Sequence, residues 1–251
     1  APAGTLSGDD SDATDIDRLF STEPDDGGID NITTGDRDDI IIGGEAGDVI
    51  DAGQGDNLVI GDNGQITAAT DVDELGAYRY TANFGTQPIT LGLVESIESL
   101  IGGVDTITTG VGRDLIIGGI DGDLIVANFG EYEVDENLVD LESDANNIVI
   151  GDSGYIDWTA DDSDATDIDR IFSTEPNDGG SDTITTGDSD DIIIGGEAGD
   201  LIDAGQGDNL VIGDNGQITA ATDLDAAGDP LYTANFGTQP ITLGLVESIE
   251  S

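Results

Sequence analysis

The sequence contains no cysteine and no histidine among its 251 residues. Thiol nucleophiles, imidazole bases, Ser-His-Asp relays, zinc fingers and iron–sulfur sites are therefore excluded, and disulfides cannot stabilise the chain. Basic residues are also scarce, because the only five are arginines and they face 56 Asp and Glu, which leaves a formal net charge of -51. Without a basic patch the chain cannot bind nucleic acid through its phosphates, and anionic lipid repels it for the same reason.

Aromatic residues make up 4% of the chain and hydrophobic residues 36%, whereas glycine, at 38 residues, is about twice as frequent as usual. Such a composition is typical of disordered chains. The order of the residues argues against disorder, because aliphatic residues form short runs between Gly/Asp turns, as at Ile40–Ile42, Leu58–Ile60 and Ile192–Ile194. No apolar run approaches the ~20 residues of a membrane span, and no signal-peptide pattern opens the sequence.

Residues 9–99 and 161–251 have the same amino acid at 79 of 91 positions, without a gap. The sequence thus holds about one and two-thirds copies of a 152-residue unit, and we expect it to be a window on a longer array. Each unit contains a half-repeat, because residues 27–35 recur at 102–110 and residues 57–64 recur at 147–154. The 15 extra residues of the second half predict an acidic loop within 128–146 that leaves the common scaffold.

The shortest period is nine residues, and it occurs in three clusters. At each step a polar residue is followed two positions later by an aliphatic one, such as Ile32, Ile41, Ile50 and Val59 in the first cluster. The polar residues of this first cluster are Asp30, Asp39, Asp48 and Asn57. In the other two clusters they are Asp105, Asp114, Asp123 and, after the insertion, Asn147, and then Asp182, Asp191, Asp200 and Asn209. Three clusters that keep one phase indicate a repeating structural unit.

The nonapeptides GGEAGDVID at 43–51 and AGQGDNLVI at 52–60 resemble the RTX, or haemolysin-type, calcium-binding repeat Gly-Gly-x-Gly-x-Asp-x-aliphatic-x. The resemblance implies an all-β fold, a parallel β-roll or β-solenoid with short β connectors. Two nonapeptides would form one turn, and Ca²⁺ would bind between stacked turns. Asp30 and Asp48 would then lie on one edge of the roll, and Asp39 and Asn57 on the other.

Elementary physics supports stacking independently of the family. A three-residue strand buries too little to be stable alone, so stacking must supply the core. The resemblance adds the interval, with each aliphatic stacked on its counterpart two nonapeptides away. Stacking brings aspartates about 4.8 Å apart, where two carboxylates repel each other. A hard cation that accepts roughly six to eight oxygen ligands removes this repulsion, and irregular loops of such ligands favour Ca²⁺ over Mg²⁺.

We therefore predict that the chain binds multiple Ca²⁺ ions. The alternative is that the turn aspartates are solvated and bind no ion. The nine predicted aspartate ligands are Asp30, Asp39, Asp48, Asp105, Asp114, Asp123, Asp182, Asp191 and Asp200. The last step of each cluster has an asparagine in place of the aspartate: Asn57, Asn147 and Asn209. Their amide oxygens are also candidate ligands, and the alternative is that the asparagines form a ladder that caps the roll. Three aspartates in the turn after each cluster complete the set: Asp62, Asp152 and Asp214. Arg37 and Arg113 lie in turns of the same kind and should weaken or partly neutralise those sites.

The chain divides into three RTX-like clusters, at 25–67, 100–157 and 177–219, of which the second holds the insertion at 128–146. The connectors are residues 1–24, 68–99, 158–176 and 220–251. Strand-like stretches outside the Gly/Asp runs, at 66–68, 89–93 and 156–158, form either wider solenoid turns or a small sheet beside the roll. We expect the aromatic side chains of Phe84, Trp158 and Phe236 to form local core rather than a platform for a ligand.

These features favour a calcium-dependent extracellular structural repeat, as in a filament, stalk or matrix segment, whose copies join end to end or laterally. The alternative is an adhesin, in which the roll presents the insertion or the aromatic connectors to an external ligand that the sequence does not identify. We expect no enzymatic activity, because no carboxylate is singled out from the repeats. Adaptation to high salt is a rival explanation of the acidity and predicts folding in KCl alone. The RTX family implies secretion by Gram-negative bacteria in an unfolded state, followed by folding in extracellular calcium.

Overall fold

The computed structural model describes residues 15–69, 83–128, 145–160, 166–221 and 235–249. Within these ranges the chain is all-β, with nineteen strands and no helix, so that none of them holds an apolar helix of membrane-spanning length. The expectation of an all-β fold with parallel strands is confirmed. Most of the predicted insertion and parts of the connectors lie outside the described residues.

Six short strands form a parallel sheet that we call the outer sheet. Each has one aliphatic residue facing inward between two residues that face outward, as the period of two in a strand requires. Their spatial order is also their order in the chain: β2 (Asn31–Thr33), β4 (Val49–Gly53), β8 (Thr106–Thr109), β10 (Leu124–Val126), β14 (Thr183–Thr185) and β16 (Leu201–Asp203).

Six further strands form a second parallel sheet, the central sheet. They are apolar at all three positions, which is the pattern of parallel strands that are covered on both faces. These strands also follow the order of the chain: β3 (Ile40–Ile42), β5 (Leu58–Ile60), β9 (Leu115–Ile117), β11 (Ile148–Ile150), β15 (Ile192–Ile194) and β17 (Leu210–Ile212).

Along the chain, successive nonapeptides contribute alternately to the outer and the central sheet. Ile32 pairs with Ile50, and Ile41 pairs with Val59, so each aliphatic pairs with its counterpart 18 residues later. This confirms the predicted stacking at an interval of two nonapeptides. The register also continues across the predicted insertion, because Ile116 pairs with Val149.

The remaining seven strands form an antiparallel sheet. Strands of the connectors therefore pair with the last strand of each cluster in a sheet beside the parallel strands, rather than forming wider turns of the same coil. In spatial order the strands are β1 (Arg18–Phe20), β6 (Gly64–Ala68), β7 (Leu91–Ser96), β12 (Gly154–Asp157), β13 (Arg170–Ser173), β18 (Gly216–Ala220) and β19 (Leu243–Ser248).

The three sheets form three layers with the central sheet in the middle. Between the outer and central sheets lies a core that includes Ile50, Ile107 and Ile116. A larger core between the central and antiparallel sheets includes Ile60 and Ile156, together with two buried aromatic side chains and a third packed against them: Trp158, Phe84 and Phe236. The prediction that these aromatics belong to local core is confirmed.

Candidate metal centre

The aspartates that precede the strands of the outer sheet form one continuous row, which we call the first ladder. Its members are Asp30, Asp48, Asp105, Asp123, Asp182 and Asp200. The backbone N–H of each member donates a hydrogen bond to Oδ1 of the next, over 2.7 to 2.9 Å. The stacking of all three clusters thus places six carboxylates in one line along an edge of the molecule.

The other carboxylate oxygen, Oδ2, has no such hydrogen bond. In the part of the chain that the structure describes, five Oδ2 atoms of the first ladder are buried and have no hydrogen-bond partner: those of Asp48, Asp105, Asp123, Asp182 and Asp200. A buried oxygen without a partner costs free energy, and an ionised one costs more. Each of these groups is therefore stabilised by whatever supplies positive charge at Oδ2, either a proton or a cation.

Glycines provide the space that the first ladder occupies. A Cβ atom on Gly61 would lie 2.1 Å from Oδ2 of Asp105, and a Cβ atom on Gly151 would lie 2.1 Å from Oδ2 of Asp182. Real Cβ atoms do not approach oxygen so closely. The first-position glycines of the nonapeptide are therefore a steric requirement of the ladder at these two places.

Asp62 and Asp152, predicted as ligands in the turns after the clusters, each bind two backbone N–H groups. Oδ1 of Asp62 accepts a hydrogen bond from the N–H of Gly103 at 2.9 Å, and its Oδ2 accepts one from the N–H of Ile120 at 2.6 Å. Asp152 repeats this arrangement with the N–H groups of Gly180 and Glu197. Their third counterpart, Asp214, is exposed. Asp62 and Asp152 thus fasten two successive turns to each other beside the first ladder.

Burial raises the pKa values of these carboxyl groups, neighbouring carboxylates raise them further, and the backbone hydrogen bonds oppose the rise. The pKa of Asp123 is raised to about 10, that of Asp182 to about 8 and that of Asp105 to about 7. For the two flanking groups, the pKa of Asp62 is raised to about 8 and that of Asp152 to about 7. Part of this edge is therefore protonated near neutral pH when no cation is present.

A second ladder precedes the strands of the central sheet, with the members Asp39, Asn57, Asp114, Asn147, Asp191 and Asn209. Each backbone N–H donates to Oδ1 of the next member over 2.8 to 3.1 Å. Aspartate and asparagine alternate, because the clusters stack directly on one another. Of the two alternatives for the asparagines, capping of the roll does not apply to Asn57 and Asn147, because both lie inside the ladder and are buried.

The asparagines halve the number of carboxylates in the second ladder. Their amide groups also donate hydrogen bonds, for example from Nδ2 of Asn147 to the carbonyl of Ala127 at 3.3 Å. Asp114 has a partner of its own, because the hydroxyl of Thr109 donates to its Oδ2 at 2.5 Å. The sequence analysis missed this threonine, although the recurrence of Thr-Thr-Gly at 33–35, 108–110 and 185–187 was an available signal.

Arg113, predicted to lie in a cation-binding turn, instead neutralises an aspartate outside both ladders. Its guanidinium lies 3.7 Å from the carboxylate of Asp56, and its backbone N–H donates to Oδ1 of Asp56 at 2.9 Å. Asp38, the neighbour of Arg37 in the sequence, has a lowered pKa, and Arg37 is the smallest of its causes. Burial acts to raise that pKa, but the N–H groups of Asp56 and Thr86 and the charge of Arg37 outweigh it.

The fifteen predicted ligands thus fall into two ladders of six and three flanking turn residues. Among the described residues, no three acidic side chains converge closely enough to hold a metal ion. The unpartnered Oδ2 atoms fit the oxygen chemistry that Ca²⁺ requires, but they do not form a complete coordination shell. A complete shell for a cation at this edge therefore requires further oxygen ligands besides these Oδ2 atoms.

No protein-family model matches this chain, and no curated protein or solved structure matches it either.

Proposed function

We propose that the chain is a calcium-dependent structural repeat of a secreted or cell-surface protein, a segment of a filament, stalk or matrix. The observation that carries the proposal is the row of buried, unpartnered Oδ2 atoms in the first ladder. The protein itself has little positive charge to offer them, because five arginines face 56 acidic residues. A divalent cation supplies two positive charges in the volume of one atom.

In its finer detail we propose that the fold is a β-solenoid of the RTX type. Support comes from strands that alternate between two parallel sheets and pair at intervals of 18 residues. In solenoids each turn contacts only its neighbours, so the aliphatic cores are small and stability is summed over turns. Such a fold is sensitive to any repulsion that is repeated at every turn.

Ca²⁺ is better suited than Mg²⁺ to relieve this repulsion between stacked carboxylates. Asp48, Asp105, Asp123 and Asp182 offer hard oxygen ligands in irregular turns, which suit the flexible coordination of Ca²⁺ better than the octahedral shell of Mg²⁺. Extracellular calcium is also available at millimolar concentration. In this proposal Oδ1 of each ladder member keeps its backbone hydrogen bond and positions the side chain, while Oδ2 contributes to binding.

The two ladders then have different roles. The first ladder, with six carboxylates, is the calcium-binding edge, and Asp62 and Asp152 flank it. The second ladder, in which Asn57, Asn147 and Asn209 replace every other carboxylate, is mainly structural because the amides satisfy their own hydrogen bonds. We therefore propose fewer ions on the second edge than the sequence analysis implied.

Calcium binding of this kind couples to folding. Without cations, the stacked carboxylates repel each other. The free energy contributed by the small aliphatic cores is then smaller than the conformational-entropy cost of ordering a Gly-rich chain. The chain would then remain unfolded in a low-calcium cytoplasm and fold outside the cell. This behaviour is what secretion of an unfolded chain by a Gram-negative bacterium requires.

Circular dichroism of the chelator-treated chain tests the proposal. Titration with CaCl₂ at constant ionic strength should produce a cooperative β transition, whereas MgCl₂ should produce a weaker one at higher concentration. KCl alone should leave the chain unfolded. Full β structure in KCl without divalent cations would favour the high-salt explanation, and a spectrum unchanged by chelation and by calcium would refute the proposal.

The adhesin alternative receives no support from the described residues. Phe84 and Trp158, which it would use as a platform, are buried in the core. The insertion that it would present at 128–146 lies almost wholly outside the described residues.

A further inference from the structure

The outer sheet presents two straight rows of side chains on its outward face. Its inner side packs on the central sheet, and no further layer of described residues covers its outer side. In each strand the second residue faces the core, so the first and third residues face outward. The strand register aligns the first residues in one row: Asn31, Val49, Thr106, Leu124, Thr183 and Leu201. The third residues form the second row: Thr33, Asp51, Thr108, Val126, Thr185 and Asp203.

Two aliphatic side chains of the first row are exposed although their strands lie inside the sheet. Val49 is 44% exposed and Leu124 is 42% exposed. Their strands, β4 and β10, each pair with a strand on both sides, so the two side chains are exposed because the face is uncovered and not because a neighbouring strand is missing. Val104 precedes β8, which lies between β4 and β10, and is 61% exposed. A group of exposed apolar side chains in the middle of a sheet indicates a surface that binds another molecule.

This face carries little charge, in a chain with 56 acidic residues. Among the outward side chains of the two rows, only those of Asp51 and Asp203 are charged. Both carboxylates are directed to their own turns, because Oδ1 of Asp51 accepts a hydrogen bond from the N–H of Gly53 at 3.3 Å and Oδ1 of Asp203 accepts one from the N–H of Gly205 at 3.2 Å. A second copy of the chain, which has the same charge of -51, can therefore approach this face with little repulsion.

We infer that this face binds the same face of a second copy, around a two-fold axis that runs parallel to the strands and passes between β8 and β10. The two outer sheets then pack face to face at a distance of about 10 Å. The axis reverses the strand order of the second copy, so that β8 lies opposite its β10 and β4 lies opposite its β14. This contact extends the structural role proposed above, but it depends on side chains of the outer sheet and not on a metal ion.

Alternation in the first row favours this axis. Aliphatic side chains on β4, β10 and β16 alternate with short polar side chains on β2, β8 and β14. An axis between two strands places every aliphatic side chain opposite a short polar one, with Leu124 opposite Thr106 of the second copy and Val49 opposite its Thr183. Large side chains of one sheet then fill the space above small side chains of the other, as the inner faces of packed sheets do.

The second row excludes the other two-fold arrangements of these faces. With the axis between β8 and β10, Asp51 lies opposite Thr185 of the second copy, whose hydroxyl can donate a hydrogen bond to the carboxylate. An axis through β8 would place Asp51 opposite Val126. An axis along the direction in which the strands stack would place Asp51 opposite Val49. Both of these leave a carboxylate against an aliphatic side chain, which costs free energy.

The contact between two single chains is small. Six strands at about 4.8 Å each extend over roughly 29 Å, and this length places the interface at the lower end of specific contacts. We therefore expect a reversible dimer with a Kd between about 1 μM and 1 mM. The pattern of the rows recurs with the repeat, so an array of more repeats would bind a second array more tightly through many weak contacts.

Sedimentation equilibrium of the full chain, in CaCl₂ with concentrated NaCl to screen the charge, tests the inference. The native chain should form dimers and stop there, because an isologous contact uses the face of both copies. Val49→Arg should weaken dimerisation at least about tenfold, since each dimer then contains two arginines on the contact face. Val49→Thr keeps a side chain suited to a strand and should weaken it less, at an unchanged melting temperature.

The matched control is Leu100→Arg, because Leu100 is also an exposed aliphatic residue, at 59%, but lies outside the outer sheet. This variant has the same added charge as Val49→Arg and should dimerise like the native chain. Equal weakening by both variants would mean that the contact lies elsewhere.

A mixture of two variants tests the register. Thr183→Glu alone should also weaken dimerisation, because it adds a carboxylate to the face. Mixed with Val49→Arg, it should form heterodimers with nearly native affinity, since the register places the new arginine opposite the new glutamate. Residues 49 and 183 lie on strands three apart within one chain and so do not pair there. Stronger rescue by Leu124→Glu than by Thr183→Glu would indicate the axis through β8.

Three outcomes would overturn the inference: a monomer at all concentrations up to about 1 mM, dimers that survive Val49→Arg, or no rescue in the mixture with Thr183→Glu. Failure of the calcium proposal has a different result. In that case the chain would fold and dimerise in NaCl with a chelator, and Val49→Arg would still weaken the dimer.

Discussion

Gly61 leaves room for the carboxylate of Asp105, since a Cβ atom at residue 61 would lie 2.1 Å from Oδ2 of that aspartate. The same methyl group at residue 213, in an identical sequence context, would meet no atom within 4 Å. One nonapeptide position therefore carries a strict steric constraint in one copy of the repeat and none in the other.

Gly61→Ala should destabilise the monomer by about 1–3 kcal/mol, because it overpacks a site bounded by a carboxylate and backbone. Gly213→Ala should change the free energy of unfolding by less than about 0.5 kcal/mol, as exposed substitutions usually do. Urea unfolding in CaCl₂, at protein concentrations low enough to keep both variants monomeric, measures the difference. Equal losses would mean that the space around Asp105 is not limiting.

Without metal, the chain should fold best at acidic pH, where its ladder carboxyls are protonated, and should lose stability as pH rises. The ladder carboxyls have pKa values in the folded chain above the ordinary value, chiefly because they are buried. A group of this kind binds its proton more tightly when folded, so its stabilising contribution is complete below the unfolded pKa and is lost as pH rises through the folded pKa. With values of about 7 for Asp105, about 8 for Asp182 and about 10 for Asp123, the stability of the metal-free chain should fall from about pH 4, the ordinary carboxyl pKa, to about pH 10, so that the folded fraction is largest at acidic pH.

Saturating calcium should flatten this pH dependence, because a bound cation stabilises the ionised form. The measurement is thermal unfolding from pH 5 to pH 10 with calcium and without it. Exposed carboxyls titrate near pH 4 and cannot produce a slope in this window. The same slope in both series would mean that calcium does not bind at the buried carboxyls.

Asp123→Asn should reduce the calcium response while it leaves the metal-free protein almost unchanged. Because the pKa of Asp123 is raised to about 10, this group carries a proton at neutral pH without metal, and an amide resembles that neutral form. With calcium, the amide removes a negative charge and one carboxylate oxygen from the first ladder.

The matched control is Asp121→Asn, two residues earlier and exposed. Asp121 has φ of 69°, a conformation that asparagine also tolerates. Calorimetric titration with CaCl₂ should show weaker or fewer binding events for Asp123→Asn only. Identical titrations for both variants would place calcium elsewhere on the chain.

Ile60→Ala and Ile212→Ala should differ in cost although the two isoleucines are repeat counterparts. Ile60 is fully buried between the central and antiparallel sheets, so its truncation should cost about 2–5 kcal/mol. Ile212 lies in the last central strand and is only partly buried, so the cost should be smaller. Chemical denaturation of the monomer in CaCl₂ gives both values, and a larger loss for Ile212→Ala would mean that the C-terminal end is more tightly packed than described.

Much of the fold was predictable because the repeat is only nine residues long, and within a cluster each strand pairs with a counterpart 18 residues away. The spacing of Ile32, Ile41 and Ile50 predicted the repeating unit, and the resemblance to the RTX repeat implied the pairing two nonapeptides apart. Runs such as Ile40–Ile42 are uniformly apolar because they lie in the middle layer, but a single run does not reveal how many layers cover it. The antiparallel sheet joins residues at several different separations, from 15 for Ile156 and Ile171 to 62 for Val94 and Ile156, and no single short period encodes those.

The candidate site was predictable in position but not in chemistry. The resemblance to the RTX repeat implied that Asp30 and Asp48 lie on one edge and Asp39 and Asn57 on the other, and the ladders follow these edges. The spacing did not reveal that the clusters stack directly, and for that reason it left open whether Asn57 is a ligand or a cap. It also did not show that Oδ1 accepts a hydrogen bond from a backbone N–H. Because Oδ1 is used in this way, only Oδ2 of Asp105 and its neighbours is left for any other partner.

The number of strands in each repeat fixes a length. From β2 to its counterpart β14 the outer sheet advances by four strands, which at about 4.8 Å each amounts to roughly 19 Å for 152 residues. Tandem duplication or loss of one such unit would therefore lengthen or shorten the protein by a constant step. A gene that varies in copy number would set the reach of its product in increments of about 2 nm, without any change to the contacts within a repeat.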